Sequence, residues 1–170
     1  TKDLANHSAP QVPIIQHPDV KRMLLKMKSY VEGMRSLTYF TAFCIDKKET
    51  AVDEKEQLHY SHLTEILTPV VKAYSSEKGF DVCVEGMQVF GGYGYTKEYP
   101  VEQMVRDCKI ASIYEGSNGI QAMDFLGRKI AGSNGAQLQA LAKEITSVIK
   151  IAKEQDELAE LAGSLEETLG

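Results

Sequence analysis

Residues 88–121 read QVFGGYGYTKEYPVEQMVRDCKIASIYEGSNGIQ, and the punctuation of this stretch decides the fold class. Gly91 and Gly92 withdraw helical preference, so a helix arriving through Val84 and Met87 stops there. Pro100 cannot continue a helix but can open one. Val101, Met104, Val105, Cys108 and Ile110 then give the following helix an apolar face at three-and-four spacing. That helix runs into Ile113-Tyr114-Glu115-Gly116, where a single carboxylate sits between apolar residues and a Gly-Ser-Asn-Gly run. No part of the stretch alternates with the period of a strand for long enough to compete.

The same spacing extends outward on both sides. Val20, Met23, Leu24, Met27, Val31, Met34, Leu37 and Phe40 mark one long amphipathic helix from Pro18, with Asp19 placed to suit the helix dipole. Its Met-rich face reads as core or subunit contact. The charged run DKKETAVDEKEQ at 46–57 reads as a solvated connection. LHYSHLTEIL follows as a short helix, and Thr68-Pro69 reads as an N-cap with proline at the first position of a new one. The face of that helix uses Val70, Val71, Tyr74, Phe80, Cys83, Val84 and Met87. Beyond residue 115, a fourth helix carries Ile120, Met123, Phe125, Leu126 and Ile130 until GSNG breaks it at 132–135. A fifth runs from about Ala136 to Leu158. The expected architecture is all-α, an antiparallel helical bundle. Residues 1–17 read as a linker from upstream domains, 18–131 as the helical bundle and 132–170 as an additional C-terminal helix.

Composition narrows the function. With 170 residues, 43% of them hydrophobic, the chain can bury a core. The formal charge of -5 and the absence of a long basic run argue against a nucleic-acid surface or a polybasic membrane patch. No apolar run approaches the ~20 residues of a membrane span. Cys44, Cys83 and Cys108 are far apart and odd in number, which points to small core residues in a reducing, cytoplasmic setting rather than a disulfide framework. His17 precedes a helix, and His59 and His62 lie three apart with no third ligand, so no metal site is expected. Arg106 and Asp107 read as a packed ion pair.

Two features carry candidate chemistry. Glu115 stands at a junction between helices, where the edge of an apolar pocket would keep it poorly hydrated and strengthen it as a general base. Gly116 leaves room for a ligand against the backbone, and Ser117 and Asn118 stand where the next helix begins. The plainer reading, a solvated loop glutamate with Ser117 as a cap, stays open on pattern alone. The second feature, MQVFGGYGY at 87–95, is neither a P-loop nor a dinucleotide fingerprint, because it follows a helix and lacks Gly-Lys-Ser/Thr. It is either a structural helix stop or a place where backbone and Gln88 meet a planar ligand.

The order and spacing of glycine turn, proline-started helix, Arg-Asp-x-Lys-Ile and Ile-Tyr-Glu-Gly resemble the C-terminal helical domain of the acyl-CoA dehydrogenase family, from Pro13 to Ile130. VPIIQHPDVKRMLLKMKSYVEGMR looks further like the long-form bacterial branch, which includes 3-methylmercaptopropionyl-CoA dehydrogenases. The resemblance implies an FAD-dependent oxidoreductase acting on an acyl-CoA. Glu115 would be the base that removes the α proton, and its backbone N–H a donor to the thioester carbonyl. Tyr114 and Gly116 would contact substrate, Ser117 would contact FAD, and Gln88, Gly91 and Gly92 would contact the FAD of the neighbouring subunit. Gly119 stands where short-form members carry glutamine, so no cofactor bond is assigned there. The resemblance also implies a homo-oligomer, dimer or tetramer, and an electron-transfer flavoprotein as acceptor. A piece of a closely related acyl-CoA oxidase, a catalytically silent helical oligomerisation module and an unrelated helical binding protein are the competing readings.

Overall fold

The structure, a computed structural model, describes Asn6 and residues 8–169. Among these residues there are six α-helices and no strand: α1 (Pro18–Thr50), α2 (Glu54–Phe90), α3 (Val101–Lys109), α4 (Asn118–Met123), α5 (Ala136–Lys153) and α6 (Ala159–Leu169). The all-α expectation is met. Residues 1–5 and 7 of the segment expected as a linker lie outside the described residues, and in the rest of it Ile14–Gln16 forms a single 3-10 turn.

Three expected breaks are placed differently. The connection expected over the charged run 46–57 lies within it but is confined to residues 51–53, because α1 continues through Thr50 and α2 begins at Glu54. Lysine and glutamate are good helix formers, and polarity here marks an exposed face instead of a break. The Asp53 carboxylate accepts the Glu56 backbone N–H at 3.0 Å, capping α2, and Lys47 pairs with Glu56 at 3.1 Å across the bend. Pro69 does not open a helix either, since it lies inside α2. An interior proline costs about 3 kcal/mol in an exposed helix. Here its ring is fully buried beside Leu63, Ile66 and Leu67, and Thr68 Oγ1 donates to the Thr64 carbonyl at 2.7 Å. Finally, the terminal segment is two helices, with a bend between Lys153 and Ala159 where a single helix was expected. The breaks at Gly91, Pro100 and GSNG fall where they were expected. Between α4 and the last of these, Asp124–Ile130 widens into a π-helix.

The chain divides into two compact units, each described by itself. The first consists of the chain up to Thr38 together with Lys72–Asn118. Within it α1 and α2 run antiparallel: Lys26 pairs with Glu85 at 3.2 Å, and further along α1 the Tyr30 ring lies 5.3 Å from Lys78 Nζ, earlier in α2. α3 lies against the same stretch of α2. Cys83 and Cys108 approach to 3.3 Å between sulfurs, and Lys109 Nζ stands 4.9 Å from the Phe80 ring. Both cysteines are free thiols. Burial, with the neighbouring Cys108 thiol second, pushes Cys83 up to about 11.

The second unit, Tyr39–Val71 with Gly119–Gly170, holds most of the fully buried apolar side chains. Cys44 from α1, Leu63, Ile66 and Leu67 from α2, Ala140 and Ile149 from α5 and Ala162 from α6 form that core. Antiparallel pairing recurs, with Phe43 edge-on to Tyr60 at 5.9 Å and Lys47 on Glu56. Polar groups are paired at the rim: His59 Nε2 lies 2.7 Å from Glu144, and the buried Gln137 donates to Glu65 at 3.0 Å. The Gln137 hydrogen bond, aided by the Lys129 ammonium, holds the Glu65 carboxyl below the usual carboxylate range.

A depressed folded-state value stabilises the fold above the ordinary carboxylate pKa near about 4, and that contribution is lost as pH falls through the folded value. Thermal unfolding of wild type and Glu65→Gln is therefore expected to differ at pH 7, with wild type more stable, and the gap is expected to close as pH is lowered towards 3. A gap that stays constant over that range contradicts the assignment.

Candidate functional site

Every candidate residue belongs to the first unit. α2 ends at Phe90, and Gly91–Tyr95 tightens into a 3-10 turn entered through Gly91 at φ 63, a conformation that glycine adopts without strain. Gly94 is constrained differently. A Cβ there would meet the Met87 carbonyl oxygen at 2.6 Å and the Phe90 Cβ at 2.8 Å, so the turn folds onto α2 only because position 94 has no side chain. At Gly92 a Cβ would meet nothing within 4 Å. Gln88, Gly91 and Gly92 line one groove of about 390 Å³ with Val84, Met87 and Tyr95. Tyr74 and Val84, expected on the buried face of this helix, are substantially exposed.

The second group of candidates lies on the turn after α3. The helix ends in a 3-10 turn, Ile110–Ser112, and the Ile110 carbonyl accepts the N–H groups of both Ile113 and Tyr114, at 2.9 and 3.1 Å. Glu115 then takes φ 51 and Gly116 φ 85. Left-handed backbone is ordinary for glycine and uncommon for glutamate, whose Cβ crowds the neighbouring carbonyl. Such conformations persist where the surroundings over-determine them, and they cluster at sites of function. Two contacts reach the turn from α2: Lys72 Nζ donates to the Gly116 carbonyl oxygen at 2.5 Å, and Ser76 Oγ lies 3.3 Å from Asn118 Oδ1.

Glu115 is exposed, as are Tyr114 and Ser117, while Gly116 is half-buried. The dry setting expected for the carboxylate is therefore not enclosed by this chain. Its apolar neighbours Ile113 and Tyr114 are themselves 56% and 52% exposed, so the turn presents an open apolar surface bearing one carboxylate. The expected Arg106–Asp107 pair is also corrected. Adjacent residues on a helix face apart, and Arg106 instead pairs with Glu102 one turn earlier, while Asp107 accepts from Gln103. Among the described residues no group of three or more His, Cys, Asp or Glu side chains gathers to hold a metal. Lys72 had no part in the sequence reading. Its signal was available in retrospect, because it lies on the helix line of Ser76, Phe80 and Cys83, the face that α3 covers.

The family description "Acyl-CoA dehydrogenase, C-terminal domain" matches residues 2–131, taking in both the glycine turn and the Glu115 turn. This chain belongs to the acyl-CoA dehydrogenase family. It is 38% identical over 162 residues to a butyryl-CoA dehydrogenase of Syntrophomonas wolfei, covering 95% of this chain and 27% of that one. It is 41% identical over 136 residues to the 3-methylmercaptopropionyl-CoA dehydrogenase of Ruegeria pomeroyi, covering 80% of this chain and 23% of the relative. The chain thus spans about a quarter of the length of these curated relatives. The solved structure of Bd2924 in its apo form aligns with a TM-score of 0.72 over 96% of this chain and 33% of that chain, at 20% identity, a likeness of fold alone.

The two glycines of the acyl-CoA dehydrogenase turn differ in what they tolerate. Gly94→Ala is expected to destabilise the complete protein by about 1–3 kcal/mol through overpacking. Gly92→Ala, with open space above it, is expected to change stability by no more than about 0.5 kcal/mol. Thermal unfolding of the two variants beside wild type checks both.

Proposed function

We propose that this chain supplies the catalytic base and one wall of the flavin site of an FAD-dependent acyl-CoA dehydrogenase, which oxidises an acyl-CoA thioester between its α and β carbons. The observation that carries this reading is the left-handed backbone of Glu115 within Tyr-Glu-Gly, a strained conformation kept where the aim of one carboxylate matters. The groove at Gln88, Gly91 and Gly92 fits part of a flat, hydrogen-bonding ring: apolar walls from Val84 and Met87, an amide that both donates and accepts, and backbone without side-chain obstruction. Its volume suits one end of a dinucleotide and not the whole.

In this reading the Glu115 carboxylate removes the α proton. The α proton of a thioester is weakly acidic, and the backbone N–H of Glu115, donated to the thioester carbonyl, stabilises the charge that develops there. Gly116 lets the acyl chain approach the backbone, Tyr114 borders it, and the Ser117 hydroxyl serves the cofactor. FAD, when bound, supplies the acceptor for the hydride that leaves the β carbon. The exposed surface of Ile113 and Tyr114 would be covered by substrate and by the remainder of the complete protein, which would expel water from around the carboxylate. An electron-transfer flavoprotein is the proposed electron acceptor, and a homo-oligomer, dimer or tetramer, the proposed assembly. Exposed Tyr93, Tyr95 and Phe90 beside the glycine turn support such an assembly, because apolar surface of this kind is characteristically covered. Among the described residues no helix is long and apolar enough to cross a membrane.

The test is anaerobic titration of the complete flavoprotein with a panel of acyl-CoAs. Wild type is expected to lose its yellow absorbance, and Glu115→Gln to bind the same ligands while bleaching at least about 100-fold more slowly, the scale of a positioned general base. Bleaching of Glu115→Gln at the wild-type rate would falsify the base assignment.

A further inference from the structure

The Lys72 ammonium donates to the Gly116 carbonyl across 44 residues of sequence. Lys72 is half-buried, and no carboxylate pairs with it among the described residues. Its acceptor belongs to the second of two consecutive residues with left-handed backbone, directly after Glu115. Ser76, one helical turn further along α2, stands 3.3 Å from Asn118 Oδ1 and 3.1 Å from the Ala73 carbonyl, so the same face of α2 also touches the far side of the turn. A glutamate released from such a turn would relax towards negative φ, and a rotation of that size re-aims its Cα–Cβ bond. A charge-assisted hydrogen bond to the next carbonyl opposes that relaxation more strongly than a neutral one.

We propose that Lys72 is a positioning residue for Glu115: by holding the Gly116 carbonyl it keeps the Glu115 backbone left-handed and its carboxylate aimed at the reacting carbon. The assignment rests on the reading of Glu115 as the base. It adds a residue outside the turn, on a different helix, whose contribution is direction and not proton transfer. Lys72 therefore bears on the chemical step, while ligand affinity depends on surfaces it does not form.

The experiment compares Lys72→Met and Lys72→Arg in the complete flavoprotein. Lys72→Met keeps the length of the stem and removes the donor, and Lys72→Arg keeps a cationic donor. Lys72→Met is expected to retain flavin and KM for acyl-CoA while kcat falls about 100-fold, the scale of a reacting group misplaced by about 1 Å. Lys72→Arg is expected to recover most of that loss. Amide hydrogen exchange supplies a readout independent of turnover: residues 113–118 should exchange faster in Lys72→Met and near the wild-type rate in Lys72→Arg. Wild-type kcat and wild-type protection in Lys72→Met would overturn the proposal, as would a loss of kcat matched by loss of flavin and unrelieved by arginine. Should Lys72→Met fail to fold, Lys72→Leu, which also lacks a donor, is read against the same outcomes. Glu115→Gln separates the two claims. If it abolishes flavin reduction while Lys72→Met is normal, only the role of Lys72 falls; if it reduces flavin at the wild-type rate, the base assignment itself falls.

Discussion

A glutamate at φ 51 needs neighbours to keep it there, and the candidate site of this chain depends on that constraint. The turn lies at the end of α3, and α3 is placed by its contact with α2 through Cys83, Cys108, Phe80 and Lys109. From the same α2 face Lys72 and Ser76 reach the turn beyond Glu115. One helix therefore serves three purposes: it carries Gln88 and the entry to the glycine turn at its end, packs α3 along its length, and holds the Glu115 turn nearer its middle. The backbone that carries this carboxylate is in this way tied to a rigid element.

The first unit has few fully buried apolar side chains and presents Tyr114, Ile113, Tyr93 and Tyr95 outward, whereas the second contains a closed core. In physical terms the first unit makes surfaces and the second makes stability. An open apolar surface with one carboxylate is poorly suited to chemistry in water, because water hydrates the base and competes for hydrogen bonds. It is well suited to chemistry once covered. In this chain, which spans about a quarter of its relatives' length, the conformation of the Glu115 turn is set while its surface stands open.

Punctuation and family pattern were legible from the residues. Gly91-Gly92, Pro100 and the GSNG run ended or began helices because clustered glycines and an exposed proline limit the backbone locally. Pro69 misled for the complementary reason: a proline ring buried beside Leu63, Ile66 and Leu67 is held by packing that local preference cannot anticipate. The charged run at 46–57 contains the connection but overstates its length, because charge reports exposure, which helix and loop share. Arg106 chose Glu102 over its neighbour Asp107 by helix geometry, which sequence adjacency conceals.

By itself the sequence determined the helical class, the glycine and proline boundaries, the family and the candidate carboxylate, since each depends on the identity and spacing of nearby residues. Only the tertiary structure decided that Glu115 is left-handed and exposed, that Gly94 is sterically obligatory while Gly92 is open, and that Lys72 donates to the Gly116 carbonyl. Those facts arise between residues distant along the chain, or from backbone forced away from its local preference, and both come into being only when helices pack.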